Sequence, residues 1–315
     1  MRVFLAGATG AVGRILLPAL VNAGHDVVGT TRSAAKADDV RAAGGEPVVL
    51  DALDADAVHA AVTAAKPEVV IHQLTDLTRL KSPKRFDAEF ATTNRLRTGG
   101  LDLLLGAAQA AGARRFIAQS YTGWPNERSG GSVKTEDDPL DPNPAGSSRQ
   151  SLAAIRHLEA AVTGAAGIEG LALRYGSFYG PGTSLGAGGD ILRMVGKRQL
   201  PIVGGGRGVW SFVHIGDVAA ATVAALDGGA PGLYNITDDE PAPVADWLPE
   251  LADAIGAKPP RRVPAWLVRP MLGDHGISVM TQIRGSSNAK AKRELSWALA
   301  YPSWRQGFRT GLGPR

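Results

Sequence analysis

The stretch Gly7-Ala-Thr-Gly10-Ala-Val-Gly13 decides the fold of this 315-residue chain. It follows a short apolar run, Arg2 to Ala6, and opens an amphipathic pattern from Ala11 to Ala23. Glycines at this spacing permit a tight turn between a strand and a helix, and they let a pyrophosphate approach the backbone N–H groups of the helix N-terminus. The stretch therefore predicts a dinucleotide-binding loop. Its expected binding residues are Gly7, Thr9, Gly10, Ala11, Val12 and Gly13.

Outward from this loop, short apolar runs alternate with longer amphipathic ones. The expected strands are Arg2 to Ala6, Asp26 to Thr31, Glu46 to Leu50, Glu68 to Leu74, Arg114 to Ser120 and Glu169 to Tyr175. The expected helices are Ala11 to Ala23, Ala34 to Ala43, Asp54 to Ala65, Asp87 to Ala111 and Ser148 to Thr163. Repeated units of this kind force parallel strands, because a helical crossover returns the chain to the same end of the sheet. The pattern predicts an α/β fold with a Rossmann-type, doubly wound parallel sheet.

Beyond residue 176 the alternation gives way to shorter elements separated by Gly/Pro clusters such as Gly180-Pro-Gly. A segment of this kind is better suited to lining a site than to extending a sheet. We expect a dinucleotide-binding domain over residues 1–176, to which residues 211–237 return. Residues 177–315 are expected to form, for the most part, a smaller substrate-binding lobe.

The composition limits the classes of function. The chain has no cysteine, which excludes disulfides, thiol nucleophiles and CxxC metal sites. The formal net charge is +4, but residues 255–315 alone carry +9, so the remainder is acidic. No base-stacking or groove-reading motif accompanies the positive charge, and we expect no nucleic-acid partner. No apolar stretch is long enough for a membrane span or a signal peptide, so we expect a cytoplasmic protein that does not contact a membrane.

The end of the second expected strand selects the dinucleotide. Selectivity for NAD needs a carboxylate there to bind the ribose 2′-hydroxyl, whereas this strand ends Gly29-Thr-Thr-Arg32-Ser33. The Arg32 guanidinium suits a 2′-phosphate by charge and fork geometry, which predicts NADP(H) as the cofactor. The alternative is a solvated arginine at a helix start. At the end of the third strand, Asp51 and Ala52 are expected beside the adenine, and Asp54 is an N-cap candidate.

Further motifs occur along most of the chain. They are His72-Gln-Leu-Thr75, Asn94-Arg-Leu-Arg-Thr-Gly, Arg174-Tyr-Gly-Ser-Phe-Tyr-Gly-Pro181, Phe212-Val-His-Ile-Gly-Asp217 and Tyr234-Asn-Ile. Together with the glycine loop, they resemble the extended short-chain dehydrogenase/reductase superfamily, that of the nucleotide-sugar epimerases and dehydratases. The resemblance implies a cofactor site that includes Leu74, Thr75, Tyr175, Gly176 and Phe178. It also implies that His214 and Asp217 are structural and bind no metal, and that two chains pair through the fourth and fifth helices as a homodimer.

One signature of that superfamily is absent. Its members carry a Tyr-x-x-x-Lys pair on the fifth helix, and a Ser or Thr after the fifth strand, to move a proton while the nicotinamide moves a hydride. No tyrosine of this chain has a lysine four residues further on. Two alignments of the expected helix are open, with either Ser147 and Ser151 or Ser151 and Ile155 at the positions of the pair. Ser151 is a catalytic candidate in both, although a serine hydroxyl is a far weaker acid than a phenol.

The position after the fifth strand also has two candidates. Ser120 lies four residues before an aromatic residue, as the family's serine does, and is expected to donate a hydrogen bond to a substrate carbonyl. A shift of one residue offers Tyr121 instead, as a displaced proton donor. Tyr175 is a further candidate for that role.

Three mechanisms are open: the substrate carries its own acid, a displaced group supplies the proton, or the site is silent and senses NADP(H). Trp124, Tyr179 and Trp210 are expected to line the substrate site, and aromatic rings there fit a flat polycyclic substrate better than a nucleotide sugar. Loss of the pair within this fold resembles angucyclinone ketoreductases. We therefore expect an NADPH-dependent ketoreductase that reduces an aromatic polyketide-type ketone by substrate-assisted proton transfer. The alternatives are a nucleotide-sugar epimerase or dehydratase and a non-catalytic NADP(H) sensor.

Overall fold

The computed structural model describes residues 1–77 and 82–314. These residues form fifteen strands, seven of which make one sheet in the order β12-β7-β5-β4-β1-β2-β3. In chain order the strands are β1 (Arg2–Ala6), β2 (Asp26–Thr31), β3 (Glu46–Val49), β4 (Val69–His72), β5 (Arg115–Tyr121), β6 (Val133–Lys134), β7 (Glu169–Tyr175), β8 (Ser177–Tyr179), β9 (Ile202–Val203), β10 (Val209–Trp210), β11 (Phe212–His214), β12 (Gly232–Ile236), β13 (Ala242–Pro243), β14 (Arg262–Val263) and β15 (Gly285–Ser286). All neighbours in the seven-stranded sheet run parallel, which confirms the predicted doubly wound fold.

The described residues also form thirteen α-helices. They are α1 (Gly13–Asn22), α2 (Ala37–Ala42), α3 (Ala55–Ala65), α4 (Phe86–Glu89), α5 (Ala91–Arg95), α6 (Leu101–Ala110), α7 (Arg149–Thr163), α8 (Asp190–Gly196), α9 (Ile215–Ala224), α10 (Val244–Ala254), α11 (Ala265–Thr281), α12 (Ala289–Glu294) and α13 (Trp304–Thr310). None of these described helices has the length and apolar character that crossing a membrane would require.

Helices cover both faces of the large sheet, and its central strands are buried accordingly. On one face α1 and α9 pack through residues such as Leu16 and Val218, both fully buried. On the other face α3 and α6 contribute Val62 and Leu104. Burying each of these aliphatic side chains stabilises the fold by about 1.5–3 kcal/mol. The strands are thereby held rigidly, so the loops at their carboxyl ends project from a fixed edge.

The fourth helix of the sequence prediction is interrupted. The stretch predicted as one helix from Asp87 to Ala111 forms α4, α5 and α6, with a π-helical turn over Leu96–Gly100. Thr98 donates its hydroxyl to the Asn94 carbonyl at 3.0 Å, and two glycines follow. Both features weaken regular α-helical hydrogen bonding. The prediction of one continuous helix was wrong because hydrophobic periodicity does not register a single widened turn.

The C-terminal part of the chain has a second apolar core. Buried aromatic rings fill it, including Tyr179, Phe212, Trp247 and Trp304. Helix α11 is kinked in this region at Gly273, whose φ of 65° is a conformation that other residues rarely adopt. The chain also returns to the large sheet after this part begins, because β12 pairs with β7 and α9 packs against α1.

Candidate active site

The glycine loop has the shape of a phosphate cradle. Gly7 has a φ of 95°, and a Cβ added there would lie 2.9 Å from the Gln73 carbonyl oxygen. A Cβ on Gly13 would lie 2.2 Å from the Gly7 carbonyl oxygen, so only glycine allows the loop to fold against α1. Within the described residues, the amides of Ala11 and Val12 donate no hydrogen bond to the protein. Free N–H groups beside a helix N-terminus fit a pyrophosphate, so these residues fit a dinucleotide.

Hydroxyl groups anchor the loop to β2. The Gly7 amide donates to Thr30 Oγ1 at 3.0 Å, and Thr9 donates its hydroxyl to Thr31 Oγ1 at 3.2 Å. The Thr9 side chain therefore contacts the strand that leads to Arg32, which places the two predicted cofactor residues on neighbouring segments. This contact joins the predicted phosphate end of the site to its predicted adenosine end.

The predicted adenosine end is open to solvent. The Arg32 side chain is 61% exposed and lies 3.8 Å from an Asp76 carboxylate oxygen. The exposed Asp51 carboxylate accepts from the Leu53 amide at 3.0 Å, and Ala52 beside it is buried. The exposed guanidinium of Arg32 and its long ion pair leave its donors available to a phosphate. Its role toward a 2′-phosphate stays a prediction.

Asp54 lies beside this end of the site and caps α3. Its carboxylate accepts from the Ala57 amide at 3.1 Å. The N-cap predicted from the sequence is therefore present.

The ends of β4 and β7 meet at the middle of the site. Gln73 donates to the Tyr175 hydroxyl at 2.8 Å, and Tyr175 in turn is bonded to Thr222 at 2.8 Å. Tyr175 is fully buried, and burial raises the pKa of its phenol to about 12. Such a phenol is poorly suited to proton transfer, and the role of Tyr175 in a cofactor site stays a prediction. A Cβ on Gly176 would lie 2.7 Å from the Ser211 carbonyl oxygen, so this turn also requires glycine.

Three other predicted cofactor residues are partly exposed around the same strand ends. Leu74 packs against the apolar core on one face of the sheet, and Phe178 packs against the core on the other. Thr75 lies between Leu74 and the Arg32 partner Asp76. Their positions at the carboxyl edge agree with where ligands bind in sheets of this kind.

The start of α7 holds a network of polar side chains instead of a tyrosine and a lysine. Ser151 donates its hydroxyl to Asp87 at 2.6 Å and accepts from the Asn94 side-chain amide at 3.1 Å. Asp87 also accepts from the backbone amides of Gln150 and Ser151, so it caps α7 from outside the helix. Ile155, one turn further on, is fully buried. The Ser151 hydroxyl thus forms its hydrogen bonds with other side chains of the protein, Asp87 and Asn94.

Ser120 belongs to a second buried network. Its hydroxyl donates to Glu159 at 2.7 Å, and Glu159 also accepts from Arg174 at 2.8 and 2.7 Å through both carboxylate oxygens. All three residues are at least 95% buried. This network ties α7 to β5 and β7, and the role predicted for Ser120 toward a substrate stays a prediction.

Tyr121 is the last residue of β5 and faces a different environment. Its hydroxyl lies 3.0 Å from Ser177 Oγ. Burial raises the pKa of the phenol, which the Ser177 hydrogen bond and the nearby Arg97 charge oppose. Tyr121 is therefore a neutral phenol, able to donate a hydrogen bond at the carboxyl edge of the sheet.

Aromatic side chains gather next to Tyr121 and Ile155. We call four rings the aromatic cluster, together with the buried aliphatic residues beside them. The rings are Phe86, Trp124, Trp210 and His275, and the aliphatic residues are Leu152, Ile155 and Ile283. The centroid of the Phe86 ring lies 5.2 Å from that of Trp124 and 4.0 Å from that of His275. Trp210 donates its indole N–H to the Val279 carbonyl at 3.0 Å.

The structure thus brings two of the three predicted substrate residues, Trp124 and Trp210, into one cluster. Tyr179 lies elsewhere, fully buried in the second apolar core against Phe308. Its ring also closes on Gly307, where a Cβ would lie 2.2 Å from it.

His214 and Asp217 hold the backbone. The His214 ring accepts from the Gly216 amide at 3.1 Å as the N-cap of α9, and Asp217 accepts from the amides of Ala300 and Tyr301. In the part of the chain that the structure describes, no group of histidine and acidic residues has the arrangement of a metal site.

Three residues of the site escaped the sequence analysis, namely Asp87, His275 and Arg97. Asp87 was assigned only as a helix start, and no local pattern indicates that it caps another helix. His275 belongs to α11, far along the chain from the strand ends. Arg97 falls inside a quoted motif, but its burial could not be read there because the π-helical turn displaces the helical face.

The sheet, the glycine cradle and the polar network on α7 together define a dinucleotide-binding protein with a Rossmann-type fold. Residues 3–237 match the model of the NAD dependent epimerase/dehydratase family, and the chain belongs to that family. The family consists of nicotinamide-dependent enzymes of the oxidoreductase and epimerase type.

Two relatives are reductases. A 3-diazoavenalumate denitrifying reductase of a Streptomyces species is 44% identical over 98% of this chain and 99% of its own length. A 4-hydroxy-2-methyl-3-oxo-4-farnesyl-3,4-dihydroquinoline-1-oxide ketoreductase of Stigmatella aurantiaca is 26% identical over 82% of this chain and 74% of its own. These relatives support reductase activity.

A solved structure shares the fold. The UDP-glucose 4-epimerase of Thermotoga maritima, solved with UDP-glucose, superposes with a TM-score of 0.77. It is 21% identical, and the match covers 99% of this chain and 97% of the epimerase. At this identity the likeness concerns the fold alone.

Proposed function

We propose that this protein is an NADPH-dependent reductase that reduces an aromatic small molecule without a proton donor on α7. A bound NADPH would supply a hydride. The observation that carries the proposal is the chemistry of α7, where the Ser151 hydroxyl donates its hydrogen bond to Asp87 and the residue one turn later is Ile155. A substrate whose reduction takes no proton from this helix fits such a site. Phe86 and Trp210 are the partly exposed rings of the aromatic cluster, and a flat substrate ring would stack on them.

An aromatic polyketide-type, angucyclinone-like ketone is one substrate class. Hydride adds to the carbonyl carbon, the carbonyl π bond breaks, and its electron pair moves to oxygen. That oxygen takes the proton of a neighbouring phenol on the substrate, which leaves an alcohol and a phenolate. The ketoreductase among the relatives supports this class.

A diazo arene is the second class, and the 44% identical relative favours it over the ketone. Hydride adds to the ring carbon that bears the diazonium nitrogen, and a new C–H bond forms. The C–N bond breaks with its electron pair on nitrogen, so the diazonium group leaves as N₂. No proton is consumed, so this reaction does not need a proton donor on α7.

The choice of NADPH over NADH rests on Arg32. Its exposed guanidinium ends the strand that leads to the ribose, a position at which a carboxylate would select NAD. We also propose that the protein acts in the cytoplasm as a homodimer, with neither nucleic acid nor a membrane as partner.

The test is a hydride-transfer assay with labelled cofactor. Purified protein is incubated with NADPH deuterated at C4, as each stereoisomer, and with either a hydroxyanthraquinone-type ketone or a 2-hydroxybenzenediazonium salt. We expect oxidation of one NADPH per product, with deuterium on the carbinol carbon or on the ring carbon that carried nitrogen. For the diazonium salt, one N₂ should be released per NADPH. A reaction without protein corrects for direct reduction by NADPH.

The same assay separates the alternatives. Tyr121→Phe should keep most of the wild-type kcat, whereas a loss of about 100-fold or more with the ketone and not with the diazonium salt, whose reduction takes up no proton, would identify Tyr121 as the acid. Tight NADPH binding without oxidation by any substrate of either class would reject the reductase and favour the sensor. Interconversion of nucleotide sugars without net NADPH consumption would favour the epimerase.

A further inference from the structure

Among the described residues, the Arg97 guanidinium is a buried charge with no carboxylate paired to it. The residue is 4% exposed and lies in the π-helical turn between α5 and α6. Its Nε is fully buried without a hydrogen bond, and no carboxylate among the described residues lies within salt-bridge distance. An unpaired buried charge costs several kcal/mol unless something compensates for it.

The groups around Arg97 leave a net positive charge. Glu159, Tyr121 and His72 lie within electrostatic range. Both oxygens of Glu159 are already engaged by Arg174, so that pair is neutral by itself. His72 is uncharged, because burial lowers its pKa to about 4.

Tyr121 is neutral as well, since burial raises its pKa. Arg97 therefore contributes one uncompensated positive charge. Burial lowers the pKa of Arg97 to about 10, and the guanidinium stays protonated at neutral pH.

Arg97 also lies beside the candidate site. Asn94, three residues earlier, bonds to Ser151 on α7, and the π-helical turn that carries Arg97 packs against α7 as well. Tyr121, which interacts with the Arg97 charge, ends β5 and packs in the aromatic cluster. The Arg97 charge therefore lies near both α7 and the aromatic cluster.

We propose that Arg97 binds an anionic oxygen on the aromatic substrate, with Tyr121 as a second hydrogen-bond donor. The inference rests on the proposed function and names its substrate class more closely: an arene that carries a phenolate, or that forms one during reduction. A guanidinium within about 4–6 Å favours the anion and lowers the pKa of a bound phenol by about 1–3 units. Arg97 is thereby a specificity-determining residue.

The test measures binding and does not depend on turnover. The protein is saturated with NADP⁺, and 4-nitrophenol is titrated in over a range of pH while its phenolate absorbance is followed. We expect the pKa of the bound phenol to fall by at least one unit in the wild type. Arg97→Met should abolish the shift, and Arg97→Lys should keep part of it. Arg95→Met, which removes an exposed charge two residues away, is the matched control and should keep the full shift.

A second measurement covers the case in which Arg97→Met does not fold. Wild-type protein should bind 4-nitrophenol at alkaline pH at least 10-fold more tightly than 4-nitroanisole, which cannot ionise. Equal affinities, or a full pKa shift in Arg97→Met, would overturn the proposal. If the phenol binds as expected but neither substrate class oxidises NADPH, the anion site stands and the reductase fails.

Discussion

The extent of burial distinguishes the polar residues of this site that can reach a ligand from those that bond within the protein. Arg32 is exposed and loosely paired, so its donors can turn to a ligand. Ser120 and Ser151 are buried, and each donates a hydrogen bond from its hydroxyl to a carboxylate of the protein. The sequence identifies all three as candidates by position, but only the neighbours in space show which protons are already committed.

Arg32→Ala should weaken NADPH binding by about 10- to 100-fold, because a charge-assisted hydrogen bond to a 2′-phosphate contributes about 1.5–3 kcal/mol. NADH binding should change less than 3-fold. Dissociation constants from fluorescence titration with both nucleotides measure the difference. Arg41→Ala is the matched control, since its side chain is equally exposed at 61%. Equal losses for NADPH and NADH would show that Arg32 does not bind the phosphate.

Ser120→Ala should lower the free energy of unfolding by about 1.5–3 kcal/mol, because it removes a buried hydrogen bond to the Glu159 carboxylate. NADPH affinity should be unchanged. Urea unfolding and nucleotide titration measure the two effects. Glu159 keeps both bonds to Arg174, so the fold should survive. A fall in kcat with unaltered stability would instead support the substrate role that the sequence predicts for Ser120.

Helix α7 and the interrupted fourth helix shape the site at the scale of elements. The sequence predicts the start and end of α7 to within one residue, because its apolar periodicity is regular. The break between α5 and α6 could not be predicted in the same way, since a π-helical turn leaves no periodic trace. Arg97 lies in that turn, so its burial could not be predicted from the periodicity of the sequence either.

The packing of α11 against the aromatic cluster should make stability depend on pH. Burial lowers the pKa of His275 to about 4, below its ordinary value of 6.5, so the unfolded chain binds this proton more tightly. The contribution of neutral His275 to the free energy of unfolding should therefore be fully present above pH 6.5. It should fall by up to about 3 kcal/mol between pH 6.5 and 4. Burial shifts the pKa of His72 in the same direction.

Urea unfolding at pH 7, 5.5 and 4 measures this loss. His275→Phe keeps a ring beside Phe86 and should lose less stability on acidification than the wild type. The exposed control His59→Gln should follow the wild-type curve. An identical acid loss in His275→Phe would show that His275 is not the titrating group.

At the scale of the whole molecule, the second apolar core is connected to the aromatic cluster through Trp210, which packs against both. Gly273, at the kink of α11, approaches the backbone of Lys84, where an added Cβ would lie 3.1 Å from Cα. Trp210 and His275 from the C-terminal part thereby join Trp124 and Phe86 from the N-terminal part. The aromatic cluster is built jointly by the two parts of the chain.

The proposed homodimer is tested at Gly106 on α6. A side chain there meets nothing within 4 Å in one chain, and the residue lies one turn after Asp102, which bonds to His157 of α7. Gly106→Arg should leave the monomer fold intact but obstruct pairing through these helices. Light scattering should give twice the chain mass for the wild type and a single chain mass for the variant. A wild-type monomer, or a dimer that persists in Gly106→Arg, would contradict pairing through this face.

The sequence by itself determined the parallel sheet, the glycine cradle and the absence of the Tyr-x-x-x-Lys pair. These features are local, because strand and helix periodicity, tight-turn glycines and residue spacing are all properties of short segments. Only the tertiary structure decided that Tyr175 and Tyr179 are core residues and that Ser120 and Ser151 are engaged by carboxylates. It also decided that Arg97 is buried with no carboxylate paired to it among the described residues. Those facts depend on contacts between segments distant in sequence, and burial and hydrogen bonding are set by such contacts rather than by any pattern along the chain.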